Sequence, residues 1–140
     1  MHRVRYAATT AHGAARERYW GTGLFIPSDH AEHHVATLSG QLTVLDLRRE
    51  VVVDALAVDD RISTSREQTA WESAQELTDR TARWWGAELH ALVYRPRTSP
   101  ETSVNVAFYH HARLDCTSAP LHACADLLDE LKLRGFTIDW

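Results

Sequence analysis

The sequence predicts an α+β fold, strands in a sheet with helices packed on it, and three observations predict it. Residues 89–97 and 104–109 are short runs rich in Val, Leu, Tyr and Phe on either side of the turn-forming stretch 98–103. That is the pattern of two paired strands at the centre of a sheet. Ala70, Trp71, Ala74, Leu77, Thr81 and Trp84 recur near the helical period of about 3.6 residues, as expected of a helix that covers such a sheet. A chain of 140 residues with 44% hydrophobic residues is one domain with enough apolar surface for a core.

Composition narrows the function. A net charge of −4 with both signs interspersed argues against gripping nucleic acid through a basic face. No apolar run approaches the ~18 residues that span a bilayer, and the start lacks the apolar core of a signal peptide. A cytoplasmic protein is expected, with Cys116 and Cys124 as reduced thiols. Nine histidines are many for this length. His30, His33 and His34 cluster, as do His110 and His111, but neither group has the i, i+4 spacing with a helical Glu that marks a zinc protease. No metal site is expected, and a pH-responsive surface is the reading they support.

Taken in order, residues 3–8 alternate polar and apolar and predict a strand. Thr9 or Thr10 then caps a helix running through residues 14–20, which Gly21-Thr22-Gly23 ends. Glu17 lies inside that helix between two arginines, where a solvated position is the plainest expectation. Residues 24–27 are an apolar stub stopped by Pro27. Residues 34–38 and 42–47 read as two strands joined by a tight turn at Ser39-Gly40-Gln41. Residues 49–58 are ambiguous, and a short helix is preferred to a strand. Ser63-Thr64-Ser65 caps a long helix over 66–85, with Glu67 or Gln68 completing a capping box and Gly86 stopping it. Arg95, Arg97 and Asn105 fall near one end of the central hairpin, where rim charges and a turn-facing amide are the plain alternative. Residues 117–120 signal a last helix over 121–134, with Pro120 near its first turn and Gly135 as its stop. Residues 136–140 add a terminal strand.

Several of these features occur together in an order that resembles a known family. They are Tyr6-Ala7-Ala8, the helical Glu17, Val44-Leu45-Asp46-Leu47, the loop Asp59-Asp60-Arg61-Ile62-Ser63-Thr64, Gln68 early in the long helix, Leu92-Val93-Tyr94-Arg95-Pro96-Arg97, and Asn105-Val106-Ala107-Phe108. Together they resemble the RES domain, named for an Arg, a Glu and a Ser, whose members include NAD-degrading or ADP-ribosylating toxins paired with Xre-type antitoxins. The resemblance covers roughly residues 3–114 of a single RES-like domain, and 117–140 adds the C-terminal helix and strand.

The resemblance implies a mixed sheet flanked by helices, similar to ADP-ribosyltransferase-like domains, with a cleft for the nicotinamide end of NAD as substrate. It implies Glu17 and Asn105 as catalytic residues, Tyr6 lining the nicotinamide pocket, and Arg3, Arg95 and Arg97 as candidates for the pyrophosphate. It also implies an Xre-type antitoxin as partner; the oligomeric state stays open. The chemistry suits these types. Cleaving the nicotinamide–ribose bond passes through an oxocarbenium-like state that a carboxylate stabilises and an aromatic face orients. Arginines hold pyrophosphate by charge-assisted, often bidentate bonds. Gly21-Thr22-Gly23 lacks the strand–turn–helix context of a dinucleotide fingerprint. Two positions depart from the family pattern. Its arginine normally precedes the strand that starts here at Arg3, and its serine is expected two residues after Tyr94, where this chain has Pro96. Ser99 and Ser103 lie nearby in the turn.

Overall fold

The central sheet is built from four strands, β1 (Val4–Ala8), β4 (Val44–Asp46), β5 (Ala91–Tyr94) and β6 (Asn105–Tyr109), in the order β1-β6-β5-β4. Residues 4–55, 79, 81, 83, 85–96, 98 and 103–140 are described in this computed structural model. β6 runs antiparallel to both β1 and β5, and β4 runs parallel to β5, so the sheet is mixed. The paired strands expected from 89–97 and 104–109 do lie at its centre. Ala91, Leu92 and Val93 are all buried although consecutive strand residues face opposite sides. Both faces of β5 are therefore covered, which explains an unbroken apolar run.

Register fixes which residues share a face. Tyr6 stands opposite Ala107 and Ala107 opposite Leu92; Ala8 stands opposite Asn105 and Asn105 opposite Tyr94. This face carries one core cluster, Leu47, Leu89, Leu92, Ala107 and Tyr109, with Leu45, Tyr94 and Val52 of helix α2 (Glu50–Ala55) against it. Burial of each large side chain here contributes about 1.5–3 kcal/mol. The ambiguous stretch 49–58 is thus helical over α2, whose apolar Val52 meets the sheet. Of the helix expected over 66–85, Thr81, Arg83 and Trp85 have helical backbone, and Thr81 bonds the Tyr109 hydroxyl at 2.7 Å. Its capping box, and the loop 59–64, lie outside the described residues.

A second cluster forms where the N-terminal helix meets the C-terminal one. α1 (Ala11–Tyr19) starts at Thr10, whose hydroxyl accepts a bond from the Gly13 amide at 3.1 Å. Such a cap stabilises a helix by about 1 kcal/mol. Tyr19 joins Ile26, Leu121, Leu128, Leu131 and Phe136 in this cluster. The apolar stub forms β2 (Phe25–Ile26), parallel to the terminal strand β8 (Thr137–Ile138). α3 (Ala125–Leu133) ends as expected on Gly135, at φ 92°, with the Phe136 amide reaching back to the Leu131 carbonyl at 3.0 Å. That is a Schellman ending, and Phe136 packs in the same cluster as Leu131.

Two expectations are corrected. Strand β3 (His34–Ser39) does not pair with residues 42–47 through a tight turn; it pairs antiparallel with β7 (Asp115–Pro120), while β4 joins β5. Gly40 does not turn the chain back. It packs so closely on Arg113 and Leu114 that a Cβ there would stand 2.8 Å from Leu114 Cδ2, which aligns β3 with the segment beginning at Asp115. The second correction follows. Residues 117–120 are strand, and α3 begins at Ala125, not at 121, because the amides of Leu121 and His122 are still bonded to the carbonyls of His33 and Ala31.

Candidate functional site

The link from β1 to α1 sets the geometry of the site. Beyond the last β1–β6 pair, the Thr9 amide donates to the Val104 carbonyl at 2.9 Å and the Val104 amide to the Thr9 hydroxyl at 3.0 Å. The first turn of α1 is thereby placed beside Ser103. Gly13 sits so close to Ser103 that a Cβ on it would overlap Ser103 Oγ. Absence of a side chain at 13 is what lets the two backbones approach.

One helical turn on, α1 meets the β5–β6 connection again. Arg16 Nε donates to the Thr98 carbonyl at 2.9 Å, and the Thr98 hydroxyl donates to Glu17 Oε1 at 3.0 Å. Glu17 is therefore partly buried and anchored across 81 positions of sequence, not the freely solvated glutamate that its local setting suggests. A hydroxyl donor to a carboxylate is a charge-assisted bond that fixes where the oxygens point.

Asn105 is 6% exposed and Ser103 4% exposed, and among the described residues Asn105 Oδ1 and Ser103 Oγ are buried without a hydrogen-bond partner. Each such oxygen costs about 1–3 kcal/mol unless something satisfies it, so two of them within three residues mark a polar spot that the fold alone does not use. Tyr6 is 62% exposed and lies on the face shared by Asn105, diagonal to it across the β1–β6 pair. Diagonal positions are about 7–8 Å apart, well within a ligand's reach.

Of the residues expected from sequence, Tyr6 and Asn105 share one face of the β1–β6 pair, and Glu17 is tied to Thr98 of the β5–β6 connection. Arg95 is exposed just past the end of β5, immediately after the Tyr94 that faces Asn105. Arg3 and Arg97 lie outside the described residues. Pro96 is fully buried. Sequence reasoning missed Arg16, Thr98, Gly13 and Ser103 as site residues. The available signal was weak: a glycine within a helix, and a serine two places before Asn105.

The histidines divide between several small groups. His30 shares a 2.9 Å bond with the Tyr19 hydroxyl, and its ring lies 4.1 Å from that of His33. Burial pushes the Tyr19 phenol above its ordinary range, against the opposing pull of Arg18. His111 bonds the Leu89 carbonyl at 2.8 Å and stacks on Tyr109. His12, 8% exposed, bonds Glu130 at 3.1 Å and so ties α1 to α3. Among the described residues no three His, Cys, Asp or Glu side chains are placed to hold a metal ion. No helix among them is long and apolar enough to cross a membrane.

Fold and site together define an α+β protein with a mixed sheet, a buried polar spot at Ser103 and Asn105, and a helical glutamate anchored to the β5–β6 connection. Comparison with family models, curated proteins and solved structures returns no match.

Proposed function

We propose that this chain is a RES-type enzyme with an ADP-ribosyltransferase-like fold that consumes NAD by cleaving the bond between nicotinamide and ribose. The acceptor is phosphate, water or a protein side chain. In this reading it is the cytoplasmic toxin of a toxin–antitoxin pair, silenced by an Xre-type antitoxin that covers the cleft. The observation that carries the reading is the placement of Glu17, held by Thr98 one helical turn from the Gly13–Ser103 contact.

The chemistry follows from that placement. As the glycosidic bond lengthens, positive charge develops on the ribose, and a fixed carboxylate at Glu17 stabilises it without reorganising. Tyr6 offers an exposed aromatic face for the nicotinamide ring, and the buried polar groups of Ser103 and Asn105 suit a carboxamide. A second reading, a catalytically silent module of the same fold that binds a protein partner, is favoured by buried Pro96, which supplies no hydroxyl at the position where the family has its serine.

Incubation with NAD separates the two. Release of nicotinamide by the purified protein, slowed about 10²-fold or more in Glu17→Gln, supports the enzyme, because that swap keeps size and removes the charge facing the developing cation. No release from a folded protein that still binds its antitoxin leaves the silent module.

A further inference from the structure

We infer that Arg16 is an anion-binding residue beside Glu17, with the outer fork of its guanidinium presented to a phosphate or pyrophosphate group. Arg16 Nε is committed to the Thr98 carbonyl at 2.9 Å, and its Cζ lies 5.5 Å from the centre of the Trp20 ring, one turn further along α1. One edge of the planar group is thus fixed and one face is covered by an aromatic ring. Among the described residues, Nη1 and Nη2 make no hydrogen bond.

An arginine held in this way has already lost most of the side-chain freedom that a flexible cation gives up on binding. Its two remaining nitrogens, with four N–H donors between them, match the paired oxygens of a phosphate. The charged neighbours on the helix are Glu17 and Arg18. Arg18 is turned to the Tyr19 ring at 5.7 Å, and Glu17 is anchored to the same Thr98, through the hydroxyl instead of the carbonyl. A single residue of the β5–β6 connection therefore sets both a cation and a carboxylate. A cation and a carboxylate held by the same residue suit a ligand whose phosphate adjoins a sugar, and to that extent the inference rests on the reading of Glu17 given above. No glycine-rich phosphate loop competes for the role.

The experiment uses two probes on the full chain. One is ADP-ribose, which carries the pyrophosphate and has no nicotinamide to lose; the other is inorganic phosphate. Calorimetry should show binding of at least one, weakened about tenfold or more in Arg16→Lys, which keeps the charge but loses both the fork and the Nε anchor. In the unsubstituted protein the Arg16 Nε–H resonance should shift as the probe is added, a readout that needs no variant to fold. Displacement of phosphate by ADP-ribose assigns the site to a nucleotide, and phosphate binding that ADP-ribose does not displace assigns it to the free anion. Equal affinity in Arg16→Lys, an unmoved Arg16 resonance, or no binding of either probe overturns the inference. Nicotinamide release with an unchanged KM in Arg16→Lys would leave the enzyme standing and remove Arg16 from it. ADP-ribose binding through Arg16 without nicotinamide release would do the opposite.

Discussion

Gly13 and Ser103 are in contact across ninety positions of sequence. A Cβ on Gly13 would stand 2.6 Å from Ser103 Cβ and 2.8 Å from the Thr10 hydroxyl oxygen that caps the same helix. This contact seats the first turn of α1 on the entry to β6, and through α1 it sets the position of Glu17.

The contact makes Gly13→Ala informative, because two principles give opposite signs. Helix propensity alone favours alanine over glycine by about 1 kcal/mol. Overlap with Ser103 predicts a loss of about 1–3 kcal/mol, and neither the serine nor the cap lies on a long flexible side chain that can move aside. We expect a net loss in urea unfolding. Ser103→Gly added to Gly13→Ala should recover most of it, a non-additivity that a purely local helix effect would not produce.

Thr98→Val tests the anchoring of Glu17. Valine keeps the branched shape and the carbonyl that receives Arg16, and loses only the hydroxyl bonded to Glu17 Oε1. Nicotinamide release should fall about tenfold, as for loss of one orienting hydrogen bond. Unfolding free energy should stay within about 1 kcal/mol of the parent. An unchanged rate would mean that Thr98 does not position the carboxylate.

Acid stability has an identifiable contributor at the end of β4. Hydrogen bonds from the Arg48 side chain, at 2.8 Å, hold the Asp46 carboxyl below the usual carboxylate range, and Arg49 adds to the effect. A group whose folded value is lowered stabilises the fold fully above its unfolded value of about 3.9 and loses that contribution as pH falls through the lower folded value. Asp46→Asn should therefore be less stable by about 0.5–1 kcal/mol at neutral pH, a modest figure because the pair is partly exposed. The gap should close in unfolding curves recorded below about pH 3.

At the alkaline end the buried hydroxyl of Tyr109 matters. Burial raises its titration above the usual range, although the bond to Thr81 pulls the other way and Asp79 adds to the rise. The neutral phenol is the form that the fold accepts. Its stabilising contribution is complete below about pH 10 and is lost as pH climbs towards the higher folded value. Tyr109→Phe should cost about 1 kcal/mol at neutral pH through the lost 2.7 Å bond. It should also flatten the decline of stability above about pH 10, read by urea unfolding in alkaline buffers.

Local patterning determined a good part of this molecule. The pairing of β5 with β6, the Thr10 cap on α1, the α2 helix and the left-handed stop at Gly135 all rest on turn chemistry, strand alternation or capping within a few residues. Glu17, Tyr6 and Asn105 were singled out only by the order of motifs that resembles the RES domain; local pattern alone gave a solvated glutamate and a turn-facing amide. Tertiary structure decided the remainder. Gly40 looked like a hairpin turn and instead packs on Leu114, so β3 found its partner in β7, some eighty positions away. Glu17 looked solvated because its neighbours are two arginines, and what restrains it is a hydroxyl 81 positions distant. Ser103 read as one more polar turn residue until α1 covered it. The reason is common to all three: a hydrogen bond or a close approach between distant segments depends on where the backbone brings them, and short-range periodicity carries no trace of that distance.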